Sequence, residues 1–208
     1  MDFVEQLQRG AATLGVSLGS SDAARLIQLI EELERWNRAY NLTAVAELPQ
    51  MLTHHLLDSL AINPDLEGER IADAGTGAGF PGLPLALLNP ARQFTLIDST
   101  AKKLRFVAHA AQLLGLANVT PLHARVEAMR PEVPFDTVVA RALAPLPELL
   151  KTVRPLCGPG TRVLAMKGRR PEAELAAVTP PWRTLGEREI QVPGLGKARC
   201  VIALGLRR

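Results

Sequence analysis

The feature that most constrains the fold of this chain is a glycine-rich segment between two short apolar runs, each of which ends in an acid. The first run ends at Asp73, the glycine-rich segment covers 75–79, and the second run ends at Asp98. Apolar runs separated by glycines and a predicted helix are typical of parallel α/β sheets. Glycines let the backbone approach a ligand closely, and an acid after the second strand can accept hydrogen bonds from a ribose. The segment therefore predicts a nucleoside-binding turn, and a turn that binds nothing is the open alternative.

The spacing of the glycines separates two classes of nucleoside-binding protein. A dinucleotide-binding turn needs Gly-x-Gly-x-x-Gly, but the third glycine of that pattern would fall at position 80, where the chain has Phe80. The spacing is Gly-x-Gly-x-Gly, with Asp73 two residues before the first glycine, which resembles the first motif of S-adenosylmethionine-dependent methyltransferases. That cofactor has no pyrophosphate for the acid to repel, and the acid can help to order its amino-acid end. A nicotinamide-dependent oxidoreductase is the least favoured alternative.

The order of predicted elements divides the chain into an N-terminal helical extension, 1–65, and a methyltransferase domain, 66–208. Helices are predicted from Ser20 or Ser21 to Tyr40 and over 48–62. In the domain, strands are predicted at 70–74, 93–98, 118–123, 135–140 and 161–166, and helices at 81–88, 100–114, 145–156 and 171–178. Two last strands, 183–192 and 199–206, flank a Pro-Gly loop and predict a hairpin. This layout predicts a Rossmann-like class I methyltransferase fold: α/β, with a seven-stranded, mostly parallel sheet and a terminal antiparallel hairpin.

Charge is distributed unevenly along the chain. The net charge is +3 and the pI about 9.2. Residues 1–70 contain 5 Lys/Arg against 11 Asp/Glu, whereas residues 151–208 contain 12 against 4. A basic C-terminal third favours a polyanionic partner such as RNA. A solvated surface rich in arginine is the alternative.

The remaining composition restricts compartment and cofactors. Two cysteines, Cys157 and Cys200, are too few for a disulfide framework, and no Cys/His spacing indicates a metal site. The charged N-terminus lacks the apolar core of a signal peptide, and no apolar run approaches the ~20 residues that span a bilayer. We therefore expect a cytoplasmic protein without metal or membrane partners. Composition does not fix the oligomeric state, and a monomer is our working expectation.

Further segments make a family resemblance specific. They are 36–43 (Trp-Asn-Arg-Ala-Tyr-Asn-Leu-Thr), 55–59 (His-Leu-Leu-Asp-Ser), 73–82, 96–99, 125–127, 141–142 and 167–168. Together they resemble the bacterial small-subunit ribosomal RNA guanine-N7 methyltransferases, the glucose-inhibited division protein B family. The resemblance implies methyl transfer from S-adenosylmethionine to a guanine N7 in 16S ribosomal RNA, with naked RNA or the small subunit as substrate. The cofactor-binding residues that it and the turn imply are Asp73, Gly75, Thr76, Gly77, Gly79, Phe80, Asp98, Val126, Glu127 and Arg141.

The residues that hold RNA are predicted from their positions. Three cations follow strands at the edge of the sheet where ligands bind, and we hypothesise a basic rim around the target guanine, formed by Arg125, Arg141 and Lys167. Phosphate contacts are predicted for Lys102, Lys103 and Arg105, and also for Arg125 and Lys167. The resemblance implies a role in substrate positioning for His55, and a packing histidine is the equal alternative.

The chemistry can be narrowed by motifs that the chain lacks. The Asn/Asp-Pro-Pro-aromatic motif of exocyclic-amine methyltransferases is absent after the fourth strand, where the chain reads Ala-Arg-Ala-Leu-Ala-Pro. Cys157, at a predicted helix end, and Cys200, in a predicted closing strand, do not suit a pyrimidine-C5 nucleophile. Guanine N7 needs no base, because it carries a lone pair and no proton. The alternatives are a methyltransferase of small molecules or proteins and a non-catalytic ribosome-assembly factor.

Overall fold

A seven-stranded sheet with the order β3-β2-β1-β4-β5-β7-β6 forms the centre of the molecule. The computed structural model describes residues 2–207. Strands β1 to β5 are parallel, and β7 runs antiparallel to both β5 and β6. The predicted mostly parallel sheet with a terminal antiparallel hairpin is confirmed. The strands are β1 (Arg70–Ala74), β2 (Gln93–Asp98), β3 (Val119–His123), β4 (Phe135–Arg141), β5 (Cys157–Lys167), β6 (Trp182–Ile190) and β7 (Arg199–Leu206).

Helices cover both faces of the sheet. They are α1 (Phe3–Thr13), α2 (Ser20–Tyr40), α3 (Leu48–Met51), α4 (Asp58–Leu60), α5 (Gly82–Leu88), α6 (Ala101–Leu113), α7 (Leu146–Val153) and α8 (Glu172–Ala176). Side chains alternate between two cores along each strand. Ile71 belongs to the core that contains the N-terminal helices, α5 and α6, whereas Ala72 belongs to the core beneath α7. The N-terminal helices therefore share a hydrophobic core with one face of the sheet.

The helix predicted over 48–62 has an internal irregularity. A π-helical segment, Leu52–Leu57, separates α3 from α4. A π-helix widens the turn by one residue and occurs frequently at functional sites. No residue in this segment is a helix breaker, so the sequence pattern predicts an ordinary helix there.

The fifth strand begins four residues earlier than predicted, which corrects the position of Cys157. Cys157 lies at the start of β5 and not at a helix end, and a short 3-10 turn, Arg154–Leu156, precedes it. The hydroxyl of Thr161 donates to the carbonyl of Phe135 at 2.6 Å and accepts from the N–H of Gly158 at 2.8 Å. This side-chain bridge keeps the Gly-Pro-Gly stretch beside β4.

Candidate active site

The glycine-rich turn after β1 is held closed by Asp73. One carboxylate oxygen of Asp73 accepts from the hydroxyl of Thr76 at 2.6 Å and from the N–H of Gly82 at 2.8 Å. The side chain is buried, and burial raises the pKa of Asp73 from 3.8 to about 6, although these two hydrogen bonds oppose the shift. Asp73 therefore joins the start of the turn to the start of α5, and it is not among the residues that line the cavity described below.

Asp98 connects the same turn to the next strand. It ends β2, and its two carboxylate oxygens accept from the N–H of Gly77 at 2.9 Å and from the N–H of Thr100 at 2.8 Å. Each oxygen of a carboxylate has a second lone-pair site, so Asp98 retains two acceptor positions. The pairing with Gly77 fixes the turn beside β2.

These residues border a cavity of about 430 Å³ at the carboxyl ends of β1, β2 and β4. A Cβ at Gly77 would meet no protein atom within 4 Å, so the backbone here is open to a ligand. A nucleoside fits the donors and acceptors of this wall, which include backbone amides and Asp98. The lining residues are Leu42, Thr43, His55, Gly75, Thr76, Gly77, Ala78, Phe80, Asp98, Ser99, Thr100, Lys103, Arg141, Ala142 and Leu143.

His55 and Phe80 form one wall of this cavity. Their rings stack with centroids 4.8 Å apart, and Nε2 of His55 lies 3.1 Å from the hydroxyl of Thr43. Nδ1 of His55 is buried and has no hydrogen-bond partner within residues 2–207. Burial, assisted by the charge of Arg141, lowers the pKa of His55 from 6.5 to about 3. The imidazole is therefore neutral at physiological pH.

Arg141 ends β4 and reaches the π-helical segment. Its Nη1 donates to the carbonyl of His54 at 3.0 Å and to Asp58 at 3.3 Å. Asp58 is only 3% exposed and also accepts from Nε of Arg199 at 2.7 Å. A buried carboxylate needs such partners, and the two guanidinium groups supply them. The ion pair with Asp58 fixes Arg141 at the edge of the cavity.

The structure brings together some of the predicted site residues and separates others. Arg141 and Lys167 both line a second cavity beside the first, but Arg125 lines neither of the two. Arg125 is exposed and lies 3.7 Å from Glu127. The predicted rim of three cations is thus not formed as one cluster, because Arg125 follows β3 at the edge of the sheet.

Two residues predicted beside the adenine lie outside the first cavity's lining. Val126 is buried in the core beneath α7, and the side chain of Glu127 is 54% exposed. Their contact with a cofactor stays a prediction. Both lie in a 3-10 turn, Val126–Ala128, just after β3.

The predicted phosphate-binding cations differ in their surroundings. Lys103 lines the first cavity, and Arg105 is exposed on α6. Nζ of Lys102 donates to the carbonyl of Tyr40 at 2.9 Å, at the end of α2. Lys167 is largely enclosed: its Nζ donates to the carbonyl of Ala144 at 2.9 Å and to Glu174 at 2.8 Å.

Several lining residues were not predicted to belong to a site, and Leu42, Thr43 and Arg199 are examples. Leu42 and Thr43 reach the first cavity because Asn41, with a φ of 48°, ends α2 in the left-handed conformation and turns the chain toward the sheet. Arg199 reaches the second cavity from the start of β7. Leu42 and Thr43 belong to segment 36–43, which the family resemblance had already singled out. Nothing in the sequence indicated a site role for Arg199, because its partner Asp58 is 141 residues away.

Both cysteines are buried, and burial raises the pKa of each thiol, to about 12 for Cys157. Neither lines the first cavity. Within residues 2–207 there is no group of three or more His, Cys, Asp or Glu side chains placed to hold a metal ion. No helix of that part of the chain has the length and apolarity needed to span a membrane.

Comparison with known proteins agrees with the resemblance. Residues 22–202 match the family described as rRNA small subunit methyltransferase G (GidB). The ribosomal RNA small subunit methyltransferase G of Methylococcus capsulatus is 46% identical over 193 residues, 93% of this chain and 94% of the relative. That of Aeromonas salmonicida is 45% identical over 181 residues, 87% of each chain.

Solved structures share the fold at low identity. A SAM-dependent methyltransferase from Aquifex aeolicus superposes with a TM-score of 0.54 at 20% identity, over 76% of this chain and 94% of that one. TrmN from Thermus thermophilus gives a TM-score of 0.56 at 22% identity, over 74% of this chain and 53% of that one. The predicted class I methyltransferase fold and the predicted family are both confirmed. This chain belongs to the rRNA small subunit methyltransferase G family.

Proposed function

We propose that this chain transfers a methyl group from S-adenosylmethionine to N7 of a guanine in 16S ribosomal RNA. Its family membership supports ribosomal RNA as the substrate. The observation that carries the proposal is the first cavity, where the glycine-rich turn and Asp98 meet at the carboxyl ends of three strands. A monomer in the cytoplasm, acting without a metal, completes the proposal.

For this reaction the protein mainly has to align guanine N7 with the methyl carbon and the sulfur of the cofactor. When bound, S-adenosylmethionine supplies a methyl carbon that N7 attacks, and the electron pair of the broken carbon–sulfur bond stays on sulfur. Guanine N7 has a lone pair and no proton, so the positive charge moves to the purine without proton transfer. The neutral imidazole of His55 and the fixed guanidinium of Arg141 suit this reaction, since neither must gain or lose a proton. Orientation in the cavity then supplies the rate enhancement.

The residues around the first cavity receive separate roles. Asp98 would accept hydrogen bonds from the ribose hydroxyls through its two remaining lone-pair sites. Phe80 would pack against the cofactor from its stack with His55. Asp73 would hold the turn in shape through Thr76 and would not touch the cofactor itself. Val126 and Glu127 would border the adenine after a local adjustment of their turn.

Cations outside the cavity would hold the RNA backbone. Lys103 lies at the cavity wall, and Lys102 and Arg105 lie beside it on α6. Arg125 extends this surface along the edge at β3. Their contacts with phosphates would make substrate binding depend steeply on salt, because each contact releases condensed counterions.

The test is transfer of a labelled methyl group to small ribosomal subunits that lack the modification. The wild-type protein is expected to label one guanine at N7. Asp98→Ala is expected to weaken cofactor binding about 10- to 100-fold, because it removes charge-assisted hydrogen bonds. Asp136→Ala is the matched control, since Asp136 also accepts two backbone N–H bonds, from Glu69 and Arg70, but at the opposite end of the sheet.

Two other results would redirect the proposal. Absence of label with normal cofactor binding would favour a non-catalytic assembly factor. Label in a small molecule or protein, with a flat salt dependence, would favour a different methyltransferase. Equal cofactor affinity of Asp98→Ala and Asp136→Ala would show that Asp98 does not bind the cofactor.

A further inference from the structure

A second cavity of about 400 Å³ adjoins the first. His55, Arg141 and Ala142 line both cavities and form the wall that the two cavities share. The second cavity lies at the carboxyl ends of β4 and β5, where Lys167 enters it, and at the start of β7, where Arg199 enters it. A ligand here would lie next to a cofactor in the first cavity.

The polar groups of this second cavity are mostly hydrogen-bond donors. Nη1 of Arg141 is engaged with His54 and Asp58, but within residues 2–207 its Nε and Nη2 have no hydrogen-bond partner. Arg199 uses Nε and Nη1, which leaves its Nη2 free in the same part of the chain. Lys167 uses two of its three N–H groups. Three cations therefore still offer donors, and a matching ligand must be rich in acceptors.

The charge of the second cavity is only moderately positive. Asp58 lines it between the two arginines, and Glu174 pairs with Lys167 just outside. A phosphate dianion would meet the carboxylate of Asp58 as well as the cations. A neutral base with strong acceptors matches this mixed environment better.

The wall shared by the two cavities contains the π-helical segment. This segment turns the carbonyl of His54 toward Arg141 and the ring of His55 toward Phe80. His55 is 7% exposed, and its Nδ1 is buried without a partner among the described residues. A buried polar atom without a partner is costly unless a ligand or water completes it. The shared wall therefore contains one polar atom that a ligand or an ordered water would complete.

We propose that the second cavity is the acceptor pocket, which binds the target guanine so that the two lone pairs of its O6 accept from free N–H groups of the Arg141, Lys167 and Arg199 cluster. This inference rests on the proposed function. Guanine presents two acceptors, O6 and N7, on one edge, whereas adenine presents an amino donor in place of O6. Donors directed at O6 would therefore select guanine and leave N7 to face the first cavity. Asp58 is a positioning residue, because it holds both guanidinium groups.

The first measurement separates acceptor binding from cofactor binding. Arg199→Gln and Lys167→Met are each expected to lower kcat/KM for unmodified small subunits about 10- to 100-fold, through loss of a charged hydrogen bond. Their affinity for S-adenosylhomocysteine is expected to stay within about twofold of wild type. Arg162→Gln is the control, because Arg162 lies on the same strand as Lys167 and pairs with Glu67 at 2.8 Å, outside the cavity. If Arg199→Gln and Lys167→Met have the same kcat/KM as this control, the second cavity is not the acceptor pocket.

The second measurement does not depend on turnover. Ligand-detected NMR with S-adenosylhomocysteine present is expected to show binding of guanosine monophosphate, binding of adenosine monophosphate at least about tenfold weaker, and none of inorganic phosphate. Arg199→Gln is expected to abolish the guanosine signal. Equal binding of both nucleotides, or binding of phosphate alone, would contradict guanine selection.

The role of Asp58 needs its own readout, since a buried carboxylate also affects folding. Asp58→Asn is expected to keep cofactor affinity while raising KM for the subunit, and the Tm of the variant shows whether it folds. A normal KM in a folded variant would contradict the positioning role. Failure of the wild-type protein to methylate any subunit would refute the proposed function, whereas normal methylation with unchanged variants would refute only the acceptor pocket.

Discussion

At the scale of single residues, the site depends on polar groups that are almost fully buried. His55 is enclosed by Phe80, Thr43 and the neighbouring Arg141, and it is held neutral. Asp58 remains buried because two guanidinium groups contact it. Each of these groups would be expensive to bury alone.

The enclosed imidazole predicts a specific loss of stability in acid. The pKa of His55 is about 3 in the folded chain against the usual 6.5, so the unfolded chain binds the extra proton first. The free energy of unfolding is expected to fall by about 2 kcal/mol more between pH 7 and pH 5 in wild type than in His55→Phe. Asp73 titrates with the opposite sign in both proteins, so the comparison isolates His55. Identical pH slopes in urea unfolding would show that His55 is not held neutral.

The sequence predicted some residues of the candidate site and missed others. Asp98, Gly77, Phe80 and Arg141 line the first cavity, because an α/β sheet brings the ends of its parallel strands to one edge. Arg199 was missed, since its role depends on contact with Asp58 across most of the sequence. Lys167 was predicted to hold RNA; its amine contacts Ala144 and Glu174, and its contact with RNA stays a prediction.

At the scale of elements, the turn after β1 is packed against its neighbours and leaves no spare volume at its far end. Gly82 begins α5, and a Cβ there would lie 2.7 Å from a carboxylate oxygen of Asp73 and 2.7 Å from Cγ of Leu96. Both contacts are closer than atoms can approach. The glycine is required by its surroundings.

Gly82→Ala is therefore expected to destabilise the protein by about 1–3 kcal/mol through overpacking. It is also expected to weaken cofactor binding, because displacement of Asp73 would release Thr76 and the turn. Gly160→Ala is the control, since a Cβ at Gly160 would meet nothing within 4 Å. Thermal denaturation and calorimetry check both effects, and equal behaviour of the two variants would refute the packing argument.

Most element boundaries follow from local chemistry, and the exceptions have long-range causes. Helix α2 spans Ser20–Tyr40, as its periodicity predicts, but the prediction that Ser20 or Ser21 caps it is wrong, because Gly19 occupies the N-cap and no side chain caps the helix. The π-helical segment was not predicted, and within it His54 and His55 contact Arg141 and Phe80, which lie elsewhere in the sequence. Such tertiary contacts leave no mark in the local pattern.

At the scale of the whole molecule, the unevenly distributed charges form ion pairs within the chain. Three cations of the basic C-terminal third pair with acids of the N-terminal third. The pairs are Asp58–Arg199, Asp65–Arg188 and Glu67–Arg162. The basic excess predicts attraction to RNA, and the acids in these pairs offset part of the positive charge that produces it. Composition alone cannot distinguish the two uses.

The shared core predicts that residues 66–208 do not fold alone, although the sequence order divides the chain at residue 65. Without the N-terminal helices, Ile71, Phe94 and Leu96 would lose part of the core that covers them. A chain starting at residue 66 is expected to lack a cooperative thermal transition, because exposed apolar area costs about 25 cal/mol per Å². A sharp transition in circular dichroism, close to that of the full chain, would contradict this expectation.

The sheet order also has a consequence for biosynthesis. Strand β7 is made after β5 and β6, yet it lies between them and carries Arg199 to Asp58. Until that strand has left the ribosome, β5 lacks its neighbour and the second cavity lacks one side. The wall of the second cavity is therefore complete only after β7 has inserted between β5 and β6.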